Sequence, residues 1–317
     1  MNRRVDMKEV IGMNSRPLTM TVTSGKGGVG KSIIALSLAV EYASKGIRTL
    51  LVDADLGLGN LHLLTDQSPV FTFEDVLTGS CELHGAVLQL SDSLNLLPAR
   101  SGFADVEWEF NLSVSQVRSQ LKWLRQNYDL LVFDSGAGIS SKVITVAKLT
   151  DLALIVTTPE IAAVADSYAV AKYLLRTDPA STIGFVVNRA ESEQEGKRTG
   201  KNLQLMIRKF LGYDLADVAH IREHHELNAI SLSRKVLGSG FGDDEWGLQV
   251  KTVCRILPRC LPDDLSLREK TNWGAADILS RLNFLKGIDD TSNVASEAGD
   301  ISGQAEYEAL IPRKDSL

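Results

Sequence analysis

Residues 25–32 read GKGGVGKS, a match to G-x-x-x-x-G-K-[ST]. Glycines at this spacing let backbone N–H groups turn inward around phosphate. Gly25, Gly27, Gly28, Val29 and Gly30 are the candidate cradle, Lys31 would reach the terminal phosphates, and the Ser32 hydroxyl would bind Mg²⁺. Lys26 is surplus to that loop, because Lys31 already serves the phosphates. Two further acids, Asp53 and Asp55, end the apolar run IRTLLVDAD, and alternation along a strand points both to one side. Asp134 ends a second apolar run, DLLVFDS, where a carboxylate can hold Mg²⁺ through water. Ser32 and Asp134 are thus the candidate metal-side residues, and Asn188 closes a further run, TIGFVVN.

These residues need strands that stop at one edge. The runs at 18–24, 47–55, 94–99, 129–135, 151–158 and 182–188 are almost continuously apolar, as strands covered on both faces are. Helical spacing recurs at 33–43, 114–126, 141–149 and 161–176. The alternation predicts an α/β fold of the P-loop NTPase class: a mostly parallel sheet flanked by helices on both faces, with ligands at the carboxyl ends of its strands. The polar stretch AESEQEGKRTG (190–200) reads as an exposed loop, and the His220, His224, His225 group as a solvated helix start.

The pattern K-G-G-x-G-K-[ST] resembles the deviant phosphate loop of the MinD/ParA family. The resemblance spans about residues 18–237. It implies ATP and Mg²⁺ as cofactors and ATP hydrolysis as the activity. It also implies a homodimer when ATP is bound, in which Lys26 reaches the nucleotide of the second subunit. Lys26, Lys31 and Asp55 then become the catalytic set, with Asp55 positioning the attacking water. Asp53 becomes a metal or switch residue, and Asn188 contacts adenine. The stretches DADLGLGNLHLL, FTFEDVLTGSCELHGAV, LNLLPARSG, DSGAGIS and VTTPEIAAVADSYAVAKYL are similar to the FlhG-like branch, which sets flagellar number, and the alternative the resemblance leaves is a MinD-like division-site or ParA-like cargo- or chromosome-positioning ATPase. The FlhG-like branch implies flagellar assembly or regulatory proteins as partners, and a partner-facing or switch-coupled surface at Asp166, Ser167, Tyr168 and Lys172. One departure stands out: Arg222 occupies the place where the family carries proline beside the base.

Composition bounds the rest. The chain has 317 residues, 44% hydrophobic and 23% charged, with a net charge of −6. Residues 287–317 hold seven acids and two bases, so the remaining body is close to neutral and gives no strong sign of nucleic-acid binding. We expect a basic N-terminal arm over 1–17, the ATPase domain over 18–265, an amphipathic helix over 266–286 and a disordered acidic tail over 287–317. In that helix Ala275, Ile278, Leu279, Leu282 and Leu285 share a face, while Trp273 and Phe284 fall opposite. Lys270, Arg281 and Lys286 suit anionic headgroups, so peripheral contact with the cytoplasmic face of the inner membrane is expected. Three sparse cysteines, Cys81, Cys254 and Cys260, fit a reducing cytoplasm and disfavour a shared iron–sulfur cluster.

Overall fold

The computed structural model describes residues 7–12, 16–102, 112–224, 241–261 and residue 278. Most of the 266–286 segment, the whole 287–317 tail, His225 and residues 1–6 of the arm lie outside them. Eight strands form one sheet: β1 (Leu18–Ser24), β2 (Thr49–Ala54), β3 (Leu88–Gln89), β4 (Leu94–Leu97), β5 (Leu130–Ala137), β6 (Leu152–Thr157), β7 (Ile183–Ala190) and β8 (Ala219–Arg222). Their order is β3-β4-β2-β5-β1-β6-β7-β8. Every adjacent pair is parallel except β3 and β4. The apolar runs arise because both faces are covered. On β6, Leu154 and Val156 join one core with α2 (Lys31–Ser44), whereas Ala153 and Ile155 join a second with α7 (Ser141–Leu149) and α8 (Ile161–Thr177). A third core lies under α4 (Phe73–Leu77) and α6 (Val114–Asn127), against Leu50, Val52 and Leu131. The short helices α3 (Leu61–Leu64) and α5 (Leu83–Ala86) lie on the chain between β2 and β3.

Two sequence expectations are corrected here. Residues 190–200 are not a loop: α9 spans Glu193–Leu211. Ser192 accepts from the Glu195 N–H, acids fill the first turn, Arg208 and Lys209 fill the last, and Gly212 stops the helix at φ 65°. The buried anchors Leu203, Met206 and Ile207 sit in its second half, so the polar first half masked the period. His220 is not in a helix start but in β8, with its ring against Gly196 of α9. His224 packs edge-on to Trp246 of α10 (Glu245–Ile256).

Part of the arm belongs to the body. α1 (Met7–Gly12) places Met7 in the main core. Arg16 grips Asp151 with two hydrogen bonds of 2.6 and 2.8 Å, both side chains 3% exposed. The Thr19 N–H and hydroxyl complete that carboxylate at 2.9 and 2.8 Å, tying the entry to β1 to the entry to β6. Within 266–286, Ile278 lines an apolar cavity of about 170 Å³ with Leu121, Leu124 and Val146. No helix among the described residues is long and apolar enough to cross a membrane.

Candidate functional site

The glycine loop joins β1 to α2 at the centre of the sheet, where strand order reverses direction on either side of β1. Gly28 and Gly30 have φ of +79° and +91°, in the left-handed region that costs a side-chain-bearing residue strain. Gly30 is the residue before α2, so the free N–H groups of the helix face the loop. Gly25 has another reason to be glycine. A Cβ there would lie 2.2 Å from the backbone carbon of Asp166 and 2.5 Å from the Ser167 N. The loop therefore rests directly on the backbone of α8. Of the two expectations for this helix, the partner-facing surface is corrected. Ser167, Tyr168 and Lys172 are buried, and only Asp166 of the four is exposed. The Lys172 ammonium lies over the Tyr168 ring at 5.7 Å, within the protein. α8 braces the phosphate loop from beneath, and its Ser167 and Lys172 are buried inside.

The acids converge from neighbouring strands. Asp53 and Asp134 are register partners on β2 and β5. The Lys31 Nζ donates to Asp134 Oδ1 at 2.7 Å and approaches the Ser32 hydroxyl at 3.4 Å. Burial pushes the Asp134 carboxyl up, opposed by the Lys31 charge. Burial, reinforced by the Asp134 charge, pushes Asp53 up to about 7. Asp53 accepts the N–H groups of Asp55 (3.3 Å), Asn60 (2.9 Å) and Leu61 (3.0 Å), so it is bonded to the loop that follows β2. Asp55 is half-buried, and its Oδ1 lies 3.1 Å from where a Cβ on Gly136 would stand. Gly136, near the end of β5, thus leaves room for Asp55.

Lys26 stands apart from this cluster. Its side chain is 47% exposed, and its Nζ pairs with Glu160 Oε2 at 3.1 Å. The Ser24 hydroxyl donates to the Lys26 carbonyl at 2.9 Å, which fixes the backbone beneath it. Asn188 is brought to the loop: its Nδ2 donates to the Val29 carbonyl at 2.8 Å and would meet a Cβ on Gly30 at 2.4 Å. Gly27 has open space around it. Lys31, Ser32, Asp53, Asp55 and Asp134 therefore share one site, Asn188 borders it, and Lys26 projects from it.

Sequence reasoning missed Glu74. It lies in α4, is 0% exposed, and accepts the Gly57 N–H at 3.1 Å and the Arg100 N–H at 3.1 Å. The capping box of Thr72 and Asp75 announces the helix, but nothing local announces that Glu74 bridges two distant loops.

The family described as the CobQ/CobB/MinD/ParA nucleotide binding domain matches residues 20–236. The antiactivator FleN of Pseudomonas aeruginosa PAO1 is 30% identical over 236 residues, which cover 74% of this chain and 84% of FleN. The septum site-determining protein MinD of Bacillus subtilis 168 is 33% identical over 175 residues, 54% of this chain and 64% of that protein. The MinC:MinD cell division protein complex of Aquifex aeolicus contains a chain with TM-score 0.56 and 25% identity, covering 76% of this chain and 95% of that one.

Proposed function

The chain belongs to the CobQ/CobB/MinD/ParA nucleotide-binding family, and from that premise we propose that it is an ATP-dependent dimerising switch ATPase that regulates flagellar number or placement. The cradle fits a phosphate chain. Gly28 and Gly30 open the loop backbone, and the N-terminus of α2 adds positive potential. Asp134 preplaces the Lys31 ammonium, so phosphate oxygens meet a cation that needs little reorganisation. Asp53 steadies the loop that carries Asp55, and Asp55 orients the attacking water. Water adds to the γ-phosphorus as the bond to ADP breaks. The protein contributes positioning and charge rather than a covalent intermediate. Mg²⁺, held by the Ser32 hydroxyl and through water by Asp134, would neutralise phosphate charge.

Lys26 supplies the switch. It is surface-placed, and its partner Glu160 is 68% exposed, so their ion pair is weak and exchangeable. A γ-phosphate in a second subunit gives Lys26 a stronger partner than Glu160, and ADP does not. That differential contact couples dimerisation to the nucleotide. Asn188 borders the base side through its bond to Val29.

The observation that carries the flagellar reading is the FleN match, which runs through most of both chains. A second reading, a MinD-like division-site ATPase, rests on the B. subtilis MinD match, higher in identity but confined to about half of this chain. Capture of partners from cell lysate by Asp55→Ala protein, in ATP and again in ADP, separates them. Flagellar switch-complex proteins or a flagellar transcription regulator retained with ATP alone support the first. Division inhibitors retained instead transfer the same chemistry to the second. Membrane contact through residues 266–286 belongs to either, and liposome co-sedimentation with and without ATP tests it.

A further inference from the structure

Residues 55–60 leave β2 at Asp55 and return to α3 at Asn60. Asp53 holds both ends through the Asp55 and Asn60 N–H groups. Gly59 is pinned further along: its N–H donates to the Arg100 carbonyl at 2.9 Å, and its carbonyl accepts from the Ser101 hydroxyl. Between these points the chain turns at Gly57, with φ +86°. There the Gly57 N–H donates to Glu74 Oε1 at 3.1 Å.

Glu74 is fully buried, and a buried carboxylate is costly unless donors converge on it. Here the donors are backbone N–H groups from two separate loops, Gly57 and Arg100. The guanidinium of Arg100 pairs with Asp75. A group that only accepts, with two oxygens, is what such a convergence requires.

We propose that Glu74 is a positioning residue: it clamps the turn at Gly57 to the Arg100 loop and so fixes the aim of the Asp55 carboxylate. The kinetic consequence rests on the ATPase reading above, whereas the clamp itself does not. The Asp55 side chain has a narrow berth against Gly136, and a turn free to shift would move it off that berth. A misplacement of about 1 Å at a reacting group can cost roughly a hundredfold in rate.

Three variants test this. Glu74→Met keeps the length and removes both acceptors. Glu74→Gln keeps one acceptor oxygen. Val76→Ala loosens the same helix through its buried apolar side, away from Gly57. Hydrogen–deuterium exchange of the nucleotide-free protein should show peptides over 55–61 exchanging about tenfold faster in Glu74→Met, with peptides over the glycine loop unchanged. Glu74→Gln should restore most of that protection, and Val76→Ala should leave it as in the parent. Unchanged exchange over 55–61 in Glu74→Met, or equal loss in Val76→Ala, overturns the clamp whatever the protein hydrolyses. In steady-state ATP hydrolysis, kcat of Glu74→Met should fall about tenfold or more while KM stays within twofold. Parent protein without Asp55-dependent turnover would count against the ATPase reading alone, since exchange still decides the clamp.

Discussion

Gly25→Ala and Gly27→Ala are the same chemical change two residues apart, and the structure assigns them different consequences. A Cβ on Gly25 would stand 2.2 Å from the Asp166 carbon, 2.4 Å from its oxygen and 2.5 Å from the Ser167 N. All three are backbone atoms inside α8, so no side chain can swing away. Ordinary contact begins near 3.4 Å, so the loop or the helix must move by about 1 Å. Overpacking of this kind costs about 1–3 kcal/mol. For a domain of this size, each kcal/mol lowers Tm by about 2–4 °C. Gly25→Ala should therefore melt roughly 4–12 °C below the parent without nucleotide, taking about 2–3 kcal/mol at these slopes. The same displacement should weaken binding of a fluorescent ATP analogue at least tenfold. Gly27→Ala meets nothing within 4 Å and has no left-handed φ to maintain, so its nucleotide-free Tm should stay within about 1 °C of the parent. Differential scanning calorimetry on both proteins is sufficient. Equal melting of the two variants would refute the claim that α8 braces the loop.

Other expectations follow from groups outside the site. Arg16→Met should cost about 3–5 kcal/mol in urea unfolding, because it removes the Arg16 counter-charge from the buried Asp151 carboxylate. The double variant with Asp151→Asn should recover part of that loss, and additive losses would contradict the pairing. Burial pushes the Cys254 and Cys260 thiols up to about 12, while Cys81 is raised less. A thiol titration of native protein at pH 8 should therefore show one fast site and two slow ones, and peptide mapping should identify the fast one as Cys81. Arg48 beside Asp129 holds that carboxyl below its usual range. Its stabilisation is present above the unfolded carboxyl range and lost as pH falls through the folded value. The gap in Tm between the parent and Asp129→Asn should narrow on acidification from pH 6 to pH 3. The pair is half exposed, so the gap should correspond to under about 1 kcal/mol, and a gap that widens would contradict the sign.

The sequence revealed the site where chemistry and local geometry coincide. The glycine loop was legible because glycine, lysine and serine must stand at fixed spacing around phosphate. The acids were legible because strands that end together in a parallel sheet bring Asp53 and Asp134 into register. What stayed hidden depends on contacts between remote segments. Glu74 lies 17 residues from the Gly57 it holds and 26 from Arg100. Ser167, Tyr168 and Lys172 read as a surface for partners or switching, yet all three are buried, and the backbone at Asp166 and Ser167 meets the glycine loop. The first half of α9 read as a loop because its buried positions, Gly196, Thr199 and Gly200, carry little hydrophobic signal. Asn188 lies near the end of its strand on the side of the loop, while its bond to Val29 could be found only in three dimensions.

The central claim is that ATP, and not ADP, brings two copies together. Sedimentation velocity of Asp55→Ala protein with Mg²⁺ and ATP, repeated with ADP, tests it most directly. The account predicts a dimer with ATP and a monomer with ADP, and a monomer in both when Lys26→Ala is added. A single species that ignores the nucleotide, or an ATP dimer that survives the loss of Lys26, would contradict it.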